Sequence, residues 1–330
     1  MLKCTTAKLA ETIWPLVMAD IPVLLHGKTG IGKSQVVKES LMPLIAREYG
    51  PSILHDYRLS SKDIVDGTGI PDVDKENRAT YWTRPAFIPA EDNKMHVIFL
   101  DEFGHAMIPM QHAVGYPLVL DRMLGEFKLP KLNRVILATN TMDDKGGDNK
   151  ILKPLEGRMA HVEVLPDHKS WCSGYAVERG LDPRLIAFIR LRPELFHRMD
   201  ANNFAWPIPR KHEWLDRVLK QQSDMKVIER CAIALCGDGF AAQFIAFLEN
   251  LAANLPRLQD IKANPGTAKV PSDMQHQYVV AAAIVPHVTQ KDAHIWAKYL
   301  KRLTADIASM AAHNAQKAIG NHPALQELII

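Results

Sequence analysis

An α/β sandwich built on a parallel five-stranded sheet, followed by an all-helical region, is the fold that the sequence predicts. Three observations lead there. Five short, continuously apolar runs are spaced by helical stretches, a glycine-rich turn stands directly behind the first run, and strand-like runs cease after Pro166.

The runs are Val23–His26, Ile53–Tyr57, Val97–Leu100, Arg134–Ala138 and His161–Val164. Val, Ile and Leu at consecutive positions suit strands buried on both faces, as in a parallel sheet. The segments between them are long enough for crossover helices. Val36, Val37, Leu41 and Leu44 give a helical pattern behind the first strand, which Pro43 is expected to kink or end. From Pro166 onward helical periodicity takes over, punctuated by Gly180, Pro207, Pro209, Gly237, Pro265 and Pro286. The expected division is therefore 1–166 and 167–330, with a C-terminal helical extension from about residue 275. Trp171, Tyr175, Phe188 and Ile189, and the helically spaced Phe240, Phe244 and Phe247, read as core of the second part. Arg58–Asn93 and Thr141–Lys150 read as irregular loops, equally compatible with a functional role and with a plain surface excursion.

Composition narrows the class. Of 330 residues, 47% are apolar and 23% charged, which excludes a disordered chain. Lys plus Arg is 40 against 37 for Asp plus Glu, so the formal charge of +3 gives no general attraction to nucleic acid. The longest apolar run, Tyr278–Val285, is far too short to span a bilayer. Cys4, Cys172, Cys231 and Cys236 form no paired framework and read as reduced thiols. With no charged-then-apolar leader at the start, a cytoplasmic location is expected.

Gly27, Lys28, Thr29, Gly30, Ile31, Gly32, Lys33 and Ser34 match G-x-x-x-x-G-K-S in full. The glycines permit backbone turns closed to other residues. Consecutive N–H groups can then converge on a di- or triphosphate at a helix N-terminus. Lys33 supplies positive charge for the β- and γ-phosphates, and the Ser34 hydroxyl is a Mg²⁺ ligand. The implied cofactors are ATP and Mg²⁺.

Val97–Leu100 runs into Asp101 and Glu102. At the end of a buried strand, Asp101 would hold Mg²⁺ through its water shell, and Glu102 would act as general base on the attacking water. Val135–Thr139 runs into Asn140, placed to orient that water and sense the γ-phosphate; the plain alternative is a turn-starting amide. His105 and His112 lack zinc-ligand spacing and read as surface or supporting residues. Lys128, Lys131 and Arg134, and Lys298, Lys301 and Arg302, read as solvated faces.

The order of loop, acid pair and A-T-N strand resembles AAA+ ATPases, and more closely their MoxR-type branch. Gly67-Thr68-Gly69-Ile70-Pro71, Trp82-Thr83-Arg84-Pro85, Leu100-Asp101-Glu102-Phe103 with Ala106, Asp121 to Glu126 with Leu129-Pro130, Pro154 to Met159 and Pro207 to Lys211 carry it. The likeness runs from about residue 5 to about 260. It implies that the helical region is an AAA+ lid. It also implies that Arg158 is an arginine finger reaching a neighbouring subunit's nucleotide, with Arg84, Arg122 and Arg134 as competitors. Arg210 would be a second sensor, reaching the phosphates from the lid. The residues present, a planar guanidinium before a strand and another at a helix start, are compatible with those roles. Gly157 before the finger and Pro117 after the acid pair depart from the pattern. The resemblance further implies a homo-oligomeric, hexameric ring that hydrolyses ATP to remodel or activate a protein, with a von Willebrand factor A-domain protein as partner. Competing readings on the same core are a nucleic-acid motor or loader, and a scaffold that uses ATP only to switch assembly.

Overall fold

The computed structural model describes residues 1–61, 63–89, 91–106, 108–141, 151–200 and 203–329. The chain divides into two compact units, Met1–Asp167 and His168–Ile330.

The first unit contains strands β1 (Leu2–Thr5), β2 (Val23–Gly27), β3 (Ser52–Arg58), β4 (Pro71–Asp74), β5 (Ala79–Trp82), β6 (Met95–Asp101), β7 (Met123–Leu124), β8 (Phe127–Lys128), β9 (Asn133–Thr139) and β10 (Ala160–Leu165). One six-stranded sheet runs β1-β10-β2-β9-β6-β3, and every pairing in it is parallel. The five expected strands are all present. The sixth, β1, lies at an edge beside β10, and its Leu2 is 54% exposed, so it carries little apolar signal.

Alternate side chains divide between two cores, because successive strand residues point to opposite faces. Val23, Leu25, Val97, Phe99, Ile136, Ala138, Val162 and Val164 pack with Leu9, Ile13 and Val17 of helix Leu9–Met18, and with Val37, Leu41 and Ile45. Leu24, Ile98, Leu100, Val135 and Leu137 face the other way, toward Phe103, Val114, Leu118 and Leu155. Burying each such side chain contributes about 1.5–3 kcal/mol, so helices cover both faces and leave the strand ends for chemistry.

Two prolines expected to interrupt helices do not. Helical residues run unbroken from Lys33 to Tyr49, with a wide π turn, Val37–Leu41, just ahead of Pro43. There Met42 N–H donates to Val37 O, one residue further back than in an α-helix. The wide turn absorbs the amide that proline lacks. Pro117 repeats the arrangement: π turn Gln111–Gly115 precedes helix Tyr116–Leu120. The Arg58–Asn93 stretch is less irregular than expected, since β4 and β5 form an antiparallel hairpin in it. Asp74 closes its turn by accepting from the N–H groups of Glu76 and Asn77. The rest of the expected second loop, residues 142–150, lies outside the described residues.

In the second unit the secondary structure of the described residues is helical throughout, joined by loops. Phe188 meets Phe240, Phe244 and Phe247 at 5.0–5.5 Å between ring centroids. Residues beyond 275 are not an appendage. Helices Met274–Ile284, Ala293–Leu300 and Ala305–Ile319 share one core with Trp171, Phe188 and Phe244, and Arg190 lies over the Tyr278 ring at 4.2 Å.

Candidate functional site

Parallel strands place their carboxyl ends together, and β2, β9 and β6 are adjacent. Gly27, Asn140 and Asp101 close or follow those three ends. Behind β2 the chain turns with Gly30 at φ 73° and Gly32 at φ 100°, a region that residues with a Cβ enter at a cost. Gly32 then caps the helix that opens at Lys33. Gly27 faces a different constraint: a Cβ there would lie 2.8 Å from Ile31 Cδ1 and 2.9 Å from Val164 O.

Lys33 is buried, 8% exposed. Its ammonium donates to Gly27 O at 2.6 Å, Lys28 O at 3.1 Å and Asn140 Oδ1 at 3.1 Å. The Ser34 hydroxyl donates to Asp101 Oδ2 at 2.6 Å, and Asp101 Oδ1 accepts from Glu102 N–H at 2.9 Å. Lys28, Thr29 and Ile31 lie in the turn itself. Glu102 holds a left-handed backbone, φ 55° and ψ 34°, outside what its side chain prefers. Such strain persists where surrounding structure over-determines it, often at functional positions. The structure thus makes two hydrogen-bonded pairs, Lys33 with Asn140 and Ser34 with Asp101, side by side because Lys33 and Ser34 are consecutive, with Glu102 next after Asp101.

Ser34 Oγ and Asp101 Oδ2 are hard oxygen donors in contact, the chemistry that Mg²⁺ selects, and the cradle at Gly27 has no room for a side chain. The residues present therefore fit a Mg²⁺–nucleotide pair. Among the described residues no group of three His, Cys, Asp or Glu side chains is arranged to hold a metal on its own, and the His112 ring stacks on Tyr116.

The arginines separate. Arg158 is exposed and donates to Pro154 O at 2.8 Å. It lies two residues before β10, whose first residue pairs with the first residue of β2. It therefore sits at the amino ends of the strands, roughly 15 Å along the strand axis from the loop. Arg122 and Arg134 are occupied elsewhere. Arg122 contacts Asp20 at 3.0 Å and donates to Asn133 O, while Arg134 donates to Asn133 O and Met18 O. Both therefore brace the start of β9. Arg84 is exposed. Arg210, exposed, is the second residue of helix Pro209–Gln221 in the second unit.

Two histidines had no local signal in the sequence. His26 Nε2 and His161 Nδ1 are 2.9 Å apart with the rings stacked, and His161 Nε2 is 2.7 Å from Glu156 O. Burial, helped by the neighbouring His161, pushes His26 down to about 4. Only the register of β2 against β10 makes this pair.

No helix among the described residues is long and apolar enough to cross a membrane. No family model matches the chain, and no curated protein does. Among solved structures it is similar to NtrX from Brucella abortus in complex with ADP, with a TM-score of 0.38 and 12% identity over 97% of this chain. The chain spans 64% of the length of that structure.

Proposed function

We propose that the chain is a Mg²⁺-dependent ATPase of AAA+ type, similar to the MoxR-like branch, working as a homo-oligomeric ring that remodels or activates a protein partner. The observation that supports it most is the meeting of Lys33, Ser34, Asp101 and Asn140 at the carboxyl ends of three adjacent strands. Ser34 and, through water, Asp101 would hold Mg²⁺, which supplies charge neutralisation at the phosphates.

The chain's own groups do the remainder. Backbone N–H groups of residues 28–34 cradle the β-phosphate. Lys33 exchanges the carbonyls of Gly27 and Lys28 for phosphate oxygens. Glu102 takes a proton from the attacking water, and Asn140 orients that water. Arg158, too far along the strands to serve its own loop, would stabilise the transferring phosphoryl group on the next copy. Arg210 would approach from the helical unit.

Calorimetry on Lys33→Ala should show ATP affinity lost; an unchanged affinity contradicts the loop assignment. Glu102→Gln should bind ATP normally but turn over roughly 10²–10⁴-fold slower, and ordinary phosphate release would remove Glu102 as the base. The same variant, holding ATP, is the bait with which a protein partner would be isolated.

A further inference from the structure

We propose that His26 and His161 are positioning residues: a two-imidazole relay that fixes the Glu156–Met159 segment, and with it Arg158, to the strand carrying the phosphate-binding loop. This rests on the reading of Arg158 as the arginine delivered to a neighbouring copy.

One carbonyl fixes the first donor, and with both rings neutral the second follows. Glu156 O can only accept, so His161 Nε2 carries the proton of that 2.7 Å bond. In the neutral ring Nδ1 is then an acceptor, and the 2.9 Å contact is completed by a proton on His26 Nε2. Both tautomers are set from one carbonyl. His26 is held well below the usual imidazole range, chiefly by burial, so its ring is neutral near pH 7.

The two ends of the relay matter. His26 immediately precedes Gly27, whose carbonyl accepts from Lys33 at 2.6 Å. Glu156 closes the short helix Lys153–Glu156, and Arg158 is two residues on, its guanidinium bonded back to Pro154 O of the same turn. The relay is thus a side-chain tie between the loop strand and the turn bearing Arg158, set beside the backbone bond from Ala160 N–H to Pro22 O and the apolar contacts of Leu155 and Met159. Displacement of an arginine by about 1 Å from a developing charge can cost a hundredfold in rate, so a tie of this kind bears on turnover without touching substrate.

A mixing experiment tests it. Arg158→Ala chains keep an intact loop but lack the arginine; Lys33→Ala chains lack the loop's lysine but can donate the arginine. Hydrolysis restored on mixing the two supports delivery between copies, whereas no restoration sinks the reading of Arg158 itself. Donors carrying Lys33→Ala with His161→Leu should then restore at least roughly tenfold less. Donors with Lys33→Ala and His161→Gln should restore nearly as much as Lys33→Ala alone, because a glutamine amide both donates to Glu156 O and accepts from His26. Lys33→Ala with His26→Leu, the second variant should His161→Leu fail to fold, should resemble the leucine donor. Folded leucine donors that restore full activity would overturn the relay while leaving delivery of Arg158 intact. A glutamine donor as poor as the leucine donor would overturn it too.

Discussion

At Gly27 a single methyl group has nowhere to go, because the carbonyl of Val164 on the neighbouring strand and the Ile31 side chain already occupy its place. Backbone cannot yield as a flexible side chain can. Gly27→Ala should cost about 1–3 kcal/mol of stability, read as a lower urea midpoint with unchanged slope, together with weakened nucleotide binding. An alanine variant as stable as the parent would mean that β2 and β10 can part freely. Lys33 presents the opposite situation, a charge supplied with partners. Three oxygen acceptors, two backbone carbonyls and the Asn140 amide, meet its ammonium. On the proposed reading, exchanging the Gly27 and Lys28 carbonyls for phosphate oxygens would keep charge-assisted hydrogen bonds while adding opposite charge.

Among the elements, helix Pro209–Gln221 carries the clearest response to acid. His212 is 0% exposed, its Nε2 is 2.9 Å from Phe196 O, and its ring stacks on Phe196 and Phe240. Burial lowers it to about 4. Unfolded chain therefore binds this proton more readily than folded chain. The contribution is fully present above about pH 6.5, is lost as pH falls toward 4, and amounts to about 3 kcal/mol at most. Urea unfolding at pH 7 and pH 4.5 should show that loss in the parent and a smaller one in His212→Phe; equal slopes against pH would refute it. The elements also show what a sequence conveys. Runs such as Val97–Leu100 and Arg134–Ala138 are apolar at every position because both sheet faces are covered, and that signal is local. Strand β1 and the hairpin of β4 and β5 escape it, since Leu2, Val73 and Tyr81 are exposed and bury little. Pro43 and Pro117 mark real losses of an amide donor, but the wide turns that accommodate them are set by packing around the whole helix. The acids and amide at strand ends were visible as positions. That Ser34 pairs with Asp101, or His26 with His161 across 135 residues of chain, depends on register and helix direction.

For the whole molecule, the separation between Arg158 and its own loop predicts that turnover depends on association. Hydrolysis per chain should rise with chain concentration over a hundredfold range and level off once assembly, followed by light scattering, is complete. Constant specific activity down to a monomer would show that the loop works unaided. Wild-type and Arg158→Ala chains should assemble alike, so that the difference between them lies in rate.

A parallel sheet has a top and a bottom; here the glycine-rich loop crowns one and Arg158 marks the other. If copies assemble as proposed, they would stand like people passing buckets, each taking from behind and handing ahead. Should the rotation from one to the next fall short of closing, the line ends in two members of unlike rank, one with a hand nobody takes and one never handed anything.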